Sequence, residues 1–242
     1  MENNTIDIFN LGFSFGSVPI LKDFNFTIQR EKILTIIGHS GCGKSTLLNL
    51  LGGLLTPKSG DVKIYGDISY LTQSVTLLDY RTAFENVLLA CELRNTLTNE
   101  KIEKADKLFS LFKLGNEVKS KFPSELSGGM KQRIGLIQTL LVDSEIYLLD
   151  EPFNAIDRST NLLIQNYIWN TIKFGSSTGL IVTHDLEQAV LLSDKVLILK
   201  NESKNVILEF SEEYKILSPN KRQGSALSEQ YLIELIKALN EN

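Results

Sequence analysis

GHSGCGKSTLL, residues Gly38 to Leu48, directly follows the apolar run Ile33-Leu34-Thr35-Ile36-Ile37, and this junction decides the fold. A glycine has no Cβ, so backbone N–H groups around Gly38, Gly41 and Gly43 can turn inward and approach an anion closely. A helix beginning near Lys44 would aim its positive end at the same point. The pattern G-x-x-x-x-G-K-[ST] demands a strand before it and a helix after it, and both are readable. Leu47, Leu48, Leu50 and Leu51 give the helix an apolar face, and Gly52-Gly53 supply a stop. The stretch is therefore expected to cradle a nucleoside polyphosphate between Gly38, His39, Ser40, Gly41, Cys42, Gly43, Lys44, Ser45 and Thr46. Lys44 would reach the β- and γ-phosphates, and the Ser45 hydroxyl would bind Mg²⁺. Lys44 and the helix end would also favour a thiolate at Cys42, with the thiol in the path of the nucleotide.

Composition narrows the class. The chain has 242 residues, enough for one substantial core or a core with a subdomain. A net charge of −4 argues against a nucleic-acid partner, whose electrostatic footprint is basic. No apolar run reaches the ~20 residues that a membrane span needs. The polar start Met1-Glu2-Asn3-Asn4 has no signal pattern, so a cytoplasmic chain is expected. Cys42 and Cys91 stand in unrelated contexts and suggest no disulfide.

Patterning then gives the order of elements. Ile6–Phe9 and Phe24–Ile28 alternate with period two and predict antiparallel strands. From Ile33 onward, apolar strands at Ile33–Ile37, Ile146–Leu149, Leu180–Thr183 and Val196–Leu199 alternate with helical patterns, which predicts a largely parallel sheet covered by helices. Strands disappear between Arg81 and Val142. Thr82-Ala83-Phe84-Glu85 is a capping box opening a helix with Phe84, Leu88 and Cys91 on one side, the Cys91 thiol shielded there. Ile102, Ala105, Leu108 and Phe112 repeat at helical spacing up to Gly115, and a last helix follows Ser228 with Leu232, Ile236 and Leu239 as its apolar stripe. The expected architecture is α/β: a P-loop NTPase core over residues 1–80 and 143–242, with an N-terminal antiparallel β-subdomain and an inserted helical subdomain over 81–142.

The run Glu145-Ile146-Tyr147-Leu148-Leu149-Asp150-Glu151 places two carboxylates at the C-terminal end of a buried strand, where open α/β sheets bind ligands. Asp150 can hold Mg²⁺ through water, and Glu151 can orient and deprotonate an attacking water. Ser127 and the N–H groups of Gly128 and Gly129 top another helix and make a second anion site.

With Leu126-Ser127-Gly128-Gly129-Met130-Lys131-Gln132-Arg133 and Leu149-Asp150-Glu151-Pro152 present, the chain resembles ATP-binding subunits of ABC transporters across nearly its whole length. The resemblance implies ATP and Mg²⁺ as cofactors and a head-to-tail homodimer, in which Ser127, Gly128 and Gly129 cap the γ-phosphate on the partner's P-loop. It implies that Phe15 stacks on adenine and that Gln73 meets Mg²⁺ and the membrane subunit. By the same resemblance Ala155-Ile156-Asp157 crosses the dimer interface and His184 meets the γ-phosphate. "GLLTPKSGDV" and "LLDYRTAFENV" are similar to importers of the nitrate/sulfonate/taurine group, although Asp79-Tyr80 replaces Pro-Trp and the connection from Lys44 to Gln73 is short. The implied function is the energising ATPase of an importer of small anionic or organic solutes. Its partners would be integral membrane permease subunits and, indirectly, an extracytoplasmic solute-binding protein, and it would sit peripherally on the inner face of the cell membrane. An exporter or lipoprotein-release ATPase, or a soluble ABC ATPase, shares the same motifs.

Overall fold

The structure, a computed structural model, describes residues 4–154, 156–200 and 205–240, except for the side chain of Arg158. The two N-terminal alternating patterns extend into long strands, β1 (Asn4–Phe15) and β2 (Val18–Gln29), paired antiparallel from Asn4↔Gln29 to Phe15↔Val18. β3 (Ile33–Ile37) follows, then the Gly-rich loop and α1 (Lys44–Leu51). Helix α1 is C-capped by Gly52, and Gly53 adopts φ 73°, as the paired glycines predicted. Leu47, Leu48, Leu50 and Leu51 are all buried, a gain of roughly 1.5–3 kcal/mol each over exposure.

Three strands escaped the sequence patterns, two of them before the helical region. β4 (Ser59–Ile64) adds to β1 antiparallel, with Ile6↔Ile64 and Ile8↔Val62, and β5 (Ile68–Leu71) joins the main sheet. "SGDVKI" buries no residue fully and carries polar side chains at three positions and a glycine at a fourth, so it gives no periodic signal. The helices α2 (Ala83–Leu93), α3 (Asn99–Leu111) and α4 (Gly128–Leu141) come next, with two short 3₁₀ turns before α4. The capping box on α2 forms as read: Thr82 N donates to Glu85 Oε2 at 2.7 Å, and Glu85 N donates to Thr82 Oγ1 at 3.3 Å. Helix α3 stops earlier than Gly115. Phe112 caps it and Lys113 takes the left-handed turn, φ 51°.

The remaining elements are β6 (Ile146–Asp150), α5 (Arg158–Phe174), β7 (Thr178–Val182), α6 (Leu186–Leu192), β8 (Lys195–Ile198), β9 (Val206–Glu209), α7 (Glu212–Lys215), α8 (Pro219–Arg222) and α9 (Ala226–Asn240). The main sheet runs β5-β6-β7-β3-β8-β9, parallel except for β9, whose half-buried residues also left no pattern. Buried residues of β6 alternate between its two faces. Ile146 and Leu148 pack with α1 and the N-terminal sheet, whereas Tyr147 and Leu149 pack with α2, α3 and α4. A strand buried on both faces explains why its sequence is a continuous apolar run. The stripe expected on α9 is rotated: Ser228, Tyr231 and Leu235 are buried, while Ile236 is 43% exposed. Among the described residues no helix is long and apolar enough to cross a membrane.

Arg222 locks the C-terminal helices to the sheet. Its side chain is fully buried, and it donates to the carbonyls of Leu191 (3.0 Å), Ser193 (2.8 Å), Tyr214 (3.1 Å) and Lys215 (3.1 Å) while stacking on the Tyr214 ring. Burial pushes the guanidinium down to about 10, so it stays charged at neutral pH. Arg222→Met leaves those carbonyls without a donor and is expected to lower unfolding free energy by about 3–5 kcal/mol in urea titrations. Arg30→Ala, at an exposed 3.6 Å pair with Glu145, should change it by less than about 0.5 kcal/mol.

Candidate nucleotide site

Strand β3 delivers the chain into the Gly-rich loop between two walls. At Gly38 (φ 153°) a Cβ would stand 2.4 Å from the carbonyl oxygen of Leu199, and at Gly43 (φ 99°) one would stand 2.7 Å from Ile20 Cγ2 on β2. Only glycine fits either position, so the loop is pressed between the N-terminal sheet and the end of β8. Gly43 caps α1 with no side-chain hydrogen bond, which leaves the first N–H groups of the helix for another acceptor. Lys44 Nζ folds back over the loop and donates to Gly38 O at 2.8 Å and His39 O at 3.0 Å.

A cleft of about 530 Å³ opens over this loop. Gly38, Ser40, Gly41, Gly43, Lys44, Ser45 and Thr46 line it, together with Phe15, Ile20, Gln73, Glu151, Val182 and His184. Phe15 is half exposed, braced edge-on by Phe13 at 5.0 Å. Gln73 is exposed just past the end of β5. Residues from five separate stretches of sequence thus share one cavity. Ile20 and Val182 belong to it although their sequence context reads only as core.

Asp150 ends β6 and is buried, beside Ser45. The Ser45 hydroxyl hydrogen-bonds its carboxylate, and Asp150 Oδ1 has no hydrogen-bond partner among the described residues. Burial pushes the carboxyl up despite Ser45 and Lys44. An orphaned, desolvated carboxylate oxygen next to a hydroxyl is a poor arrangement for stability and a good one for a hard divalent cation. No cluster of three His, Cys, Asp or Glu side chains occurs among the described residues, so such a cation would rely on hydroxyl, amide and water oxygens as well.

Glu151 adopts φ 50°, an uncommon conformation outside glycine. Its N–H donates to Val182 O at 2.9 Å, and Oε2 stands 2.9 Å from His184 Nδ1. His184 follows β7, and Asp185 caps α6 by accepting from Glu187 N and Gln188 N at 2.9 and 3.2 Å. Thr183 Oγ1 accepts from Asp185 N at 3.1 Å and donates to Gln188 Oε1, which fixes the turn carrying the histidine. Sequence reading missed Gln132, whose Nε2 reaches Glu151 O at 3.4 Å from α4.

Other expected residues lie elsewhere. Ser127, Gly128 and Gly129 are outside the cleft lining, at the start of α4, where Ser127 Oγ accepts from Met130 N at 3.3 Å. Asp157 caps α5 by accepting from Thr160 N at 3.0 Å, and Ala155 lies outside the described residues. His39 is outside the cleft lining.

Cys42 requires a correction. Its side chain is 2% exposed and packs into the core with Leu34, Leu47 and Leu197, so only its backbone can face a phosphate. Desolvation pushes the thiol up, outweighing Lys44, which contradicts the expected thiolate. Cys91 is buried as read. A maleimide should therefore label neither cysteine appreciably in the native protein, with or without MgATP, and both after urea denaturation, as read by peptide mass spectrometry.

Comparison with known proteins agrees with this geometry. The family model described as ABC transporter matches residues 21–154. An uncharacterised ABC transporter ATP-binding protein of Bacillus subtilis is 37% identical over 190 residues, covering 75% of this chain and 73% of the relative. The nitrate import ATP-binding protein of Synechococcus elongatus is 36% identical over 196 residues, covering 77% and 71%. A dimeric ATP-binding cassette in a post-hydrolysis state bound to ADP and Pi superposes with a TM-score of 0.77 at 26% identity, covering 85% of this chain and 99% of that one. The chain belongs to the ABC transporter family, as one of its ATP-binding, ATP-hydrolysing subunits.

Proposed function

We propose that this chain binds MgATP in the Gly38–Thr46 cleft, pairs head to tail with a second copy, and hydrolyses ATP to drive membrane permease subunits of an importer. The observation that carries this reading is the meeting of Lys44, Ser45, Asp150, Glu151 and His184 at one edge of the sheet, while Ser127 lies outside the cleft lining. In the dimer, Ser127, Gly128 and Gly129 of one chain would close over the phosphate held by the other. Similar proteins serve nitrate import, bicarbonate transport and ergothioneine transport, which supports a small anionic or organic solute; an extracytoplasmic solute-binding protein would supply it. The chain would act at the inner face of the cell membrane without touching the solute.

The residues divide the work. Lys44 offsets phosphate charge, and backbone N–H groups at the start of α1 donate to the phosphate oxygens. Ser45 and the orphaned Asp150 oxygen, with Gln73 nearby, would hold Mg²⁺, which when bound neutralises charge on the transferred phosphoryl group. Glu151 takes a proton from the attacking water. With His184 Nδ1 held 2.9 Å from Glu151 Oε2, Nε2 is the ring nitrogen left to meet a phosphate oxygen. Phe15 offers its face to the base.

Two substitutions test the assignment. Glu151→Gln keeps shape and loses the base, so kcat should fall by about 10²–10⁴ while MgATP affinity holds and an ATP-bound dimer accumulates on size exclusion. Near-normal turnover would remove Glu151 from the mechanism. Lys44→Ala removes a charged donor and should weaken MgATP binding about ten- to a hundredfold in direct titration; unchanged affinity would contradict the cleft as the nucleotide site.

A further inference from the structure

The helix that Ser127 caps touches the backbone of Glu151 in its own chain. Gln132 lies on α4, nine-tenths buried, and its Nε2 donates to the backbone carbonyl of Glu151 at 3.4 Å. That carbonyl also accepts from Asn154 N at 3.2 Å, and the Glu151 N–H is held by Val182 O at 2.9 Å. Glu151 sits at φ 50°, a conformation that a residue with a Cβ keeps only when its surroundings fix it. Val182 belongs to the sheet and Asn154 to the loop that follows Glu151. The Gln132 amide is the contact that comes from α4.

Helix α4 is well placed to transmit a displacement. Ser127 caps it, and Gln132 stands five residues further on, about 7 Å along the axis at 1.5 Å per residue. The first turns are braced as one body. Arg133 Nε donates to Gly129 O at 3.2 Å, and its Nη1 donates to Phe112 O at 3.1 Å. A shift of Ser127, Gly128 and Gly129 toward a phosphate therefore carries Gln132 with it, because a hydrogen-bonded helix moves as a rigid element.

We propose that Gln132 is a positioning residue for Glu151. Through it, seating of the signature turn on the partner's ATP sets the backbone, and hence the carboxylate, of the base in its own site. This rests on the head-to-tail dimer and on Glu151 as the base. Each chain then lends its signature to one ATP and its base to the other, so the Gln132 amide links the two sites and makes hydrolysis cooperative in ATP.

The test is Gln132→Leu, close in size but without the amide, and Gln132→Met as a second variant should the first not fold. Thermal melting confirms folding of each before steady-state kinetics. The expected result is a fall in kcat of about tenfold, the scale of a modest misplacement of a reacting group, with the KM for MgATP within about twofold. The Hill coefficient for ATP should drop toward unity. A merely structural role would lower the melting temperature and scale kcat with the active fraction, leaving the Hill coefficient unchanged, and that result overturns the proposal. Unchanged kcat and Hill coefficient in a folded variant overturn it as well. Glu151→Gln measured alongside separates the two readings. If that variant loses hydrolysis while Gln132→Leu is normal, the base stands and the coupling falls. If Glu151→Gln hydrolyses normally, the base reading itself falls.

Discussion

The parallel ladder β6-β7-β3 is the constraint on which the rest of the molecule depends. Register pairs Ile36 with Val182 and Asp150 with Val182, so three strands end at the same height. Beyond those ends lie the Gly-rich loop, the pair Asp150-Glu151, and the turn Thr183-His184. A slip of one residue in either pairing would reverse the faces of every buried side chain and separate Ser45 from Asp150. The ladder is secured by burial on both faces and by close packing at Gly38 and Gly43, where neighbouring chain leaves no room for a side chain.

This edge is one-sided. Lys44, Ser45, Glu151 and His184 line one cleft with Asp150 beside Ser45, while Ser127 lies outside that lining. On the proposed head-to-tail dimer, a second copy supplies the turn at Ser127 that this cleft lacks. The contact from Gln132 to Glu151 then gives each half a physical route to the other.

Much of the catalytic edge was legible because its chemistry is tied to backbone requirements. Glycines at Gly38 and Gly43 mark a loop in close contact, and the apolar run before Asp150 marks a strand buried on both faces. The parts that escaped have physical reasons. β4 and β9 are poorly buried; β4 has only two apolar residues, and β9, Val206-Ile207-Leu208-Glu209, is too short and too evenly apolar to show a period. The end of α3 was misplaced because Lys113, not a glycine, takes the left-handed turn. Cys42 was misjudged because the motif fixes where its backbone runs but says nothing of where its side chain points. Gln132 was invisible for a related reason: one amide on a helix reads as surface until the strand behind it is placed.

The composite site is tested most directly by cross-linking. Ser40→Cys and Ser127→Cys are introduced together, Cys42 and Cys91 being buried, and a short bifunctional maleimide is added with and without MgATP. The head-to-tail account predicts a covalent species of twice the chain mass that forms only with MgATP, bridging Cys at 40 of one chain to Cys at 127 of the other. Cross-linking confined to single chains, or a double-mass species formed equally without nucleotide, would contradict it.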